Sequence, residues 1–268
     1  MKYIFKMKCV TNMHVGSGEE NYSIVDNEVQ KDVILSDVPA IHSSGVKGAL
    51  KEHYKTVVKM PYEEILRIFG DEEQTEEKGI RVKQSKPGAY TFFGAKLVAR
   101  PLRVSDGDKP YLLATGNDIL RDFSDFLAGL GLEEFFQFET DIAATNGSYF
   151  VVTDGATELE GHVVQQQPAV EGVEKIIGTP YAVANSLRDF SLPVIARNVL
   201  DEHGKSKNLW YEEVVPHQSI FYFVILTPGD EEIALPLHNE TIQFGGNASI
   251  GQGYAKITQV YPSKEAVE

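Results

Sequence analysis

Ile220-Phe221-Tyr222-Phe223-Val224-Ile225-Leu226 is the longest strongly apolar run in the chain. Aromatic and β-branched residues dominate it, and it is far shorter than the roughly 20 apolar residues a helix needs to cross a bilayer. It therefore reads as a strand, and the sequence around it repeats the reading. Downstream, Thr241 to Phe244 and Tyr254 to Tyr261 have strand composition, and at the other end Tyr3 to Val10 alternates like a strand. Between the two ends lie helical patterns. Val46 to Val58 carries Ala49, Leu50, Tyr54, Val57 and Val58 at helical spacing, with Ser43 and Ser44 offered as capping hydroxyls. Glu63 to Phe69 forms a second short helix stopped by Gly70, and Gly116-Asn117-Asp118 opens a helix through Phe126.

The remaining segments are less regular. Val29 to Ile41 mixes strand and turn, and Tyr90 to Pro101 is a further strand. Residues 71 to 90 are charged, with a turn at Lys86-Pro87-Gly88, and are expected to form a mobile loop. From Glu133 to Asp189 the sequence predicts only short strand pieces, broken at Gln165-Gln166-Gln167-Pro168. Val199-Leu200 and Leu209-Trp210 flank a polar turn at Asp201-Glu202-His203-Gly204, which predicts a hairpin. With no linker and no short internal repeat, residues 1–268 are expected to form a single α+β domain.

Composition narrows the function classes. A single cysteine, Cys9, excludes an internal disulfide and leaves no thiolate cluster for structural zinc. Lys6 and Lys8 interrupt the apolar start, so no secretory signal is expected, and the expected setting is cytoplasmic with no membrane partner. The formal charge of −14 argues against free, sequence-independent RNA binding. Many of the acids stand in blocks, such as Glu63-Glu64 and Asp230-Glu231-Glu232. Local fields rather than net charge decide whether a phosphate backbone is tolerated.

Three glycine-bearing segments carry most of the information. His14-Val15-Gly16-Ser17-Gly18 follows the first strand, where glycines let backbone amides approach an anion and His14 can meet a phosphate or stack on a base. Ser43-Ser44-Gly45-Val46-Lys47-Gly48-Ala49-Leu50 stands where a helix begins, so its free amides and Lys47 suit a phosphate, although the spacing is not that of a Walker loop. Gly245-Gly246-Asn247-Ala248-Ser249-Ile250-Gly251-Gln252-Gly253 has more glycine than a tight hairpin requires and suits an extended polynucleotide backbone. Taken singly, the first reads better as a strand-end turn, the second equally as a helix cap, and the third is weak evidence beside a plain glycine-rich turn.

Their order carries more than any one of them. His14-x-Gly16-x-Gly18, then Val25-Asp26, Pro39-x-Ile41, Ser44-x-x-Lys47-Gly48-Ala49-Leu50 and finally Gly245-Gly246 with Gly251-x-Gly253 resembles the RAMP superfamily. Within it, Leu97-Val98-Ala99-Arg100-Pro101-Leu102-Arg103 and Leu209-Trp210-Tyr211-Glu212-Glu213-Val214-Val215-Pro216 look like the backbone subunit of type III-B (Cmr) CRISPR complexes. The chain departs from the family where Ser43-Ser44-Gly45 replaces a glycine-serine-serine order, at Phe92-Phe93-Gly94-Ala95, and at Val214.

The resemblance implies an RRM-like, ferredoxin-like palm, an inserted helical region and a protruding thumb hairpin within roughly 162–207. It implies guide CRISPR RNA, target RNA, other effector subunits and head-to-tail copies of the same chain as partners. His14, Gly16, Gly18, Ser44, Lys47, Gly48, Arg197, Gly245, Gly246, Gly251 and Gly253 would contact RNA. Asp26 matches the loop aspartate that cleaves the target, with Glu212 as a second catalytic candidate. A carboxylate there can accept the proton of the attacking hydroxyl or hold a divalent metal, Mg²⁺ or Mn²⁺, helped by Glu28 and Asp32. RNA brings its own nucleophile in the 2′-hydroxyl, so few protein groups are needed. Without the resemblance, Asp26-Asn27 is an ordinary turn pair. Apolar residues and arginines between Gly178 and Lys207 would let the thumb wedge between bases while meeting phosphates. The competing readings are a guide-binding scaffold that does not cut, a guide-processing endoribonuclease that uses histidine, and an unrelated enzyme of phosphorylated small molecules.

Overall fold

The computed structural model describes residues 1–18, 25–77, 80–137 and 149–263. In chain order the first half holds β1 (Lys2–Cys9), β2 (Ala40–Ile41), α1 (Ser43–Thr56), α2 (Tyr62–Phe69), β3 (Gly70–Glu77), β4 (Ile80–Pro87), β5 (Thr91–Phe92), β6 (Ala95–Asp106) and β7 (Tyr111–Gly116). It continues with α3 (Asn117–Gly129), β8 (Phe150–Val152), β9 (Glu158–Leu159), β10 (His162–Gln166), α4 (Glu171–Ile177) and β11 (Tyr181–Ala184). The final stretch is β12 (Val194–Leu200), β13 (Ser206–Glu213), β14 (Ile220–Leu226), β15 (Thr241–Gln243) and β16 (Tyr254–Tyr261). The result is an α+β fold on one large sheet in the order β15-β16-β1-β14-β6-β7-β11-β8-β10-β9, with β2 on β6 and β5 on β14.

β1 lies inside this sheet, antiparallel to β14 on one side and to β16 on the other. Its alternation separates two cores. Phe5, Met7 and Cys9 face one way, with Phe221 and Phe223 of β14, against Val46 and Leu50 of α1 and Ile65, Ile68 and Phe69 of α2. Ile4 faces the other way, with Tyr222 and Val224, against Leu120 and Phe123 of α3 and Val173 and Ile176 of α4. Phe5 stacks on Phe223 with ring centroids 5.2 Å apart. The apolar run at 220–226 is thus apolar because both of its faces are covered. Cys9 is fully buried, and burial pushes its thiol up to about 12, so it stays neutral.

The structure corrects several expectations. The charged 71–90 segment is not a loop: β3 and β4 pair as a long hairpin from Gly70↔Pro87 to Glu77↔Ile80. Ser43 and Ser44 lie inside the first turn of α1, whose N-cap is His42, and no side chain caps it. The middle segment holds α4, which its short length and the glycine inside it, Gly172, hid. Of the 162–207 span expected for the thumb, β10 and β11 pair into the large sheet, and the separate two-stranded hairpin is β12–β13. Residues 19–24, between the His14–Gly18 motif and Val25-Asp26, lie outside the described residues. Gly94 is required where it stands, because a Cβ there would lie 2.8 Å from the carbonyl oxygen of Ile41.

Truncating the stacked pair tests this core. Phe223→Ala is expected to cost about 3–5 kcal/mol in unfolding free energy, measured by denaturant titration.

Candidate nucleic-acid interface

Four segments distant in sequence meet beyond the end of β1. The chain leaves the sheet through His14, whose Nδ1 lies 2.8 Å from the carbonyl oxygen of Glu213. A carbonyl only accepts, so this nitrogen carries the proton. Gly16 bridges to Val29, the Gln30 amide donates to the Val15 carbonyl at 2.8 Å, and the Ser17 amide donates to Glu28 at 3.1 Å. The 27–31 segment therefore runs beside the His14–Gly18 loop. Gln30 extends the link to α1: its Nε2 donates to the Gly16 carbonyl at 3.3 Å, and its Oε1 accepts the His42 amide at 2.9 Å. Ser44 and Gly48 are exposed at this helix start, and Lys47 beside them has no ion-pair partner among the described residues.

The glycine loop closes over the same place. Gly245 has a φ of 76°, and a Cβ there would lie 2.2 Å from the His14 carbonyl oxygen. Gly253, at φ 85°, would meet the Phe244 carbonyl at 2.1 Å. The Gly246 amide donates to the His14 carbonyl at 2.9 Å, and that of Gly253 to Asn12 at 2.8 Å. These glycines let two backbones touch, whereas Gly18 and Gly251 face open space with positive φ.

The root of the β12–β13 hairpin ties these loops together. Consecutive strand residues point to opposite faces, so Glu212 and Glu213 reach different neighbours. The Glu212 carboxylate accepts from Arg197 Nη1 at 2.8 Å, Trp210 Nε1 at 2.8 Å and Asn247 Nδ2 at 3.1 Å. The Arg197 guanidinium lies 5.4 Å from the centre of the Trp210 ring. The Glu213 carboxylate accepts the Val29 amide at 3.2 Å and pairs with Lys31 at 3.4 Å. Burial alone would lower Lys31, but the charges of Glu213 and Glu28 outweigh it and hold its ammonium above the usual lysine value. Glu212 is 5% exposed, and both of its carboxylate oxygens accept hydrogen bonds.

Asp26 sits where the 25–31 segment crosses this strand. Its Oδ2 accepts the Tyr211 amide at 2.8 Å, while the amides of Asp26 and Asn27 donate to the Tyr211 carbonyl at 3.1 and 3.2 Å. The Glu213 amide then donates to Asn27 at 2.9 Å. Asp26 is exposed, and its second carboxylate oxygen has no hydrogen bond among the described residues. Above it the hairpin displays Val199, Leu200, Leu209 and Tyr211 to solvent. Below, buried Arg100 anchors the entry to β12 by donating to the carbonyls of Ser191 at 3.2 Å, Leu187 at 3.5 Å and Phe190. Burial lowers Arg100 to about 10, against the raising influence of Glu160 and Glu213, so it remains a cation at neutral pH.

The acids expected to assist a metal are used elsewhere. Asp32 accepts the Ile34 and Leu35 amides at 2.8 and 3.0 Å and pairs with Lys96 at 3.3 Å, and Glu28 pairs with Lys31 at 3.4 Å. Burial opposes the ionised form of Asp32, but those amides and Lys96 more than compensate and hold its carboxyl below the usual range. Among the described residues no three His, Cys, Asp or Glu side chains converge as a metal cage, so one Asp26 oxygen does not fit a resident metal site. Asn247, Trp210, Glu213, Arg100 and Gln30 have no site role of their own in the sequence reading, because, Trp210 apart, their partners are distant in the chain.

A buried hub joins a helix start, two glycine loops and a projecting hairpin, and the class of protein follows. Residues 6–256 match the model of the RAMP superfamily, and the chain belongs to it. Two curated relatives are similar along nearly their full length. The CRISPR system Cmr endoribonuclease Cmr4 of Pyrococcus furiosus is 28% identical, with 96% of this chain and 95% of that protein aligned. The CRISPR system CMR subunit Cmr4 of Saccharolobus solfataricus is 22% identical, with 94% of each aligned. Among solved structures, a chain of type III-B Cmr-beta bound to cognate target RNA superposes with a TM-score of 0.76 at 22% identity, covering 98% of both chains. Oligomeric Cmr4 from Pyrococcus furiosus gives 0.67 at 22% identity, covering 97% of this chain and 98% of that one.

The chain's single tryptophan reports on the hub. Glu212→Ala strands the Arg197 guanidinium and frees the indole N–H. It is expected to cost about 3 kcal/mol and to red-shift the emission of Trp210, measured by fluorescence-detected unfolding.

Proposed function

We propose that this chain is the repeating backbone subunit of a type III-B CRISPR effector, holding guide RNA and cutting guide-paired target RNA beside its hairpin. The observation that carries the reading is the clamp on Asp26. An exposed carboxylate is held by three backbone hydrogen bonds and one of its own against the root of a hairpin whose strands expose Val199, Leu200 and Leu209 next to its polar turn. Such apolar side chains are suited to wedging between stacked bases, and the carboxylate then stands beside the distorted nucleotide. The 2′-hydroxyl of that nucleotide attacks the adjacent phosphorus in line, and the free Asp26 oxygen accepts its proton. The 5′-oxygen of the next nucleotide departs.

The guide would lie along the α1 start and the open faces of the glycine loops, where Ser44, Lys47, Gly48, Gly18 and Gly251 are accessible and free amides suit phosphate. His14, Gly16, Gly245, Gly246 and Gly253 hold that surface in shape, and Arg197 acts with Glu212 to fix the hairpin. The palm is RRM-like in this reading: β1 lies between β16 and β14, and β6 follows β14, all antiparallel, with α1 in the crossover from β1 to β6. Sequence specificity would come from guide pairing, and head-to-tail copies would space the cuts evenly. Cmr4 relatives named for endoribonuclease activity and for an oligomeric structure support this reading. A scaffold that does not cut is the second reading, favoured by the lack of any cluster of three His, Cys, Asp or Glu side chains among the described residues.

Asp26→Asn separates the two roles of this residue, because its side-chain carbonyl still accepts the Tyr211 amide while the base is gone. In the reconstituted complex, evenly spaced cutting is expected to fall at least 100-fold while guide and target binding hold. Unchanged cutting would place the chemistry elsewhere, and no cutting by the wild-type chain would favour the scaffold.

A further inference from the structure

On the sheet face opposite α1, Lys6, Lys8, Lys175 and Lys256 converge on a cleft of 510 Å³ that Thr258 and Ser263 also line. Strand register builds the array. Lys6 and Lys8 share a face of β1, Lys6 stands opposite Thr258, and Lys8 stands opposite Lys256 on β16. Like charges directly opposed on antiparallel strands destabilise a sheet. Lys6 Nζ donates to the Ile176 carbonyl at 3.0 Å and Lys175 Nζ to that of Phe135 at 3.1 Å, which leaves each ammonium two further donors. Burial first, and then the charge of Lys8, pulls Lys6 below the usual lysine value.

What sets the cleft apart is that four lysines converge with no Asp or Glu among the described residues that line it. Lys31, Lys96, Arg67, Arg103, Arg188 and Arg197 each pair with a carboxylate. None of the four cleft lysines does so among the described residues, in a chain with 39 acidic and 25 basic residues. In a chain of net charge −14 these four lysines stand together with no carboxylate partner among the described residues, at a cost to their own sheet.

The geometry points to an RNA-phosphate site in this cleft, continuous with the guide path and on the other face of the sheet. This rests on the function proposed above. Lys256 is three residues along β16 from Gly253 of the glycine loop, roughly 10 Å at strand rise, and β1 runs from Lys8 toward His14. The amides of Val10 and Thr11, which donate to the Tyr254 carbonyl at 2.8 and 3.2 Å, close the edge between the two sites. A polyanion leaving the glycine loop meets Lys8 and Lys256 next. A repeating phosphate matches several ammoniums in a row better than a single carboxylate from a protein partner does.

The test is assembly of the full-length chain on labelled guide RNA across a salt series of about 50–200 mM. Lys8→Glu/Lys256→Glu and the milder Lys8→Gln/Lys256→Gln are compared with Lys47→Glu, and circular dichroism confirms folding. Both Lys8/Lys256 pairs are expected to weaken binding, the glutamine pair by roughly tenfold, and to flatten the log–log salt slope by about 1.4. An unchanged slope while Lys47→Glu still weakens binding would overturn the cleft and leave the proposed function standing. Loss of RNA-free self-association with an unchanged RNA slope would overturn it in favour of a protein contact. Absence of RNA binding by the wild-type chain would overturn both.

Discussion

The structure depends on one short strand segment, Glu212-Glu213, at the root of the hairpin. Alternation sends the two carboxylates to opposite sides, and each collects partners from segments that are otherwise unconnected. Glu212 joins the opposite hairpin strand and the glycine loop. Glu213 joins His14 through its carbonyl and the 27–31 segment through its side chain and amide. A half-satisfied buried carboxylate costs more than an apolar residue, so the arrangement is useful only when complete. Completed, it fixes where Asp26 stands relative to the hairpin, with backbone contacts to Tyr211 supplying the last constraint.

Electrostatics divide the molecule in a way that net charge conceals. Lys31, Arg67, Lys96, Arg103, Arg188 and Arg197 are neutralised by nearby carboxylates, whereas Lys47 at the helix start and the four cleft lysines have no such partner among the described residues. A polyanion therefore meets a surface that is acidic on average and basic along a path. Such a chain gains RNA affinity chiefly when copies align those paths, which agrees with a subunit that works within an assembly.

The fold was largely legible in the sequence because its main strands are decided by local composition. The runs at 220–226 and 254–261 have the predicted ends, and β1 differs by a residue at each. β3–β4 was missed because its charged, proline-ended sequence lacks the alternation that burial would impose. α4 was missed because its seven residues carry too little periodicity. At the site, the glycine loops and the α1 start were visible as motifs, but their meeting was not, since Gly245 contacts His14 across most of the chain. Glu212 shows the limit most clearly. The motif singled it out, and only its three partners distinguish an organising carboxylate from a reactive one.

The central claim is that RNA supplies its own nucleophile while Asp26, fixed at the hairpin root, takes the proton. The most direct measurement uses the reconstituted wild-type complex and a target RNA with a single 2′-deoxynucleotide at one mapped cut position. The account predicts that this one cut disappears while the neighbouring cuts persist at their usual rates. Continued cutting at the deoxy position would contradict it and require an external nucleophile.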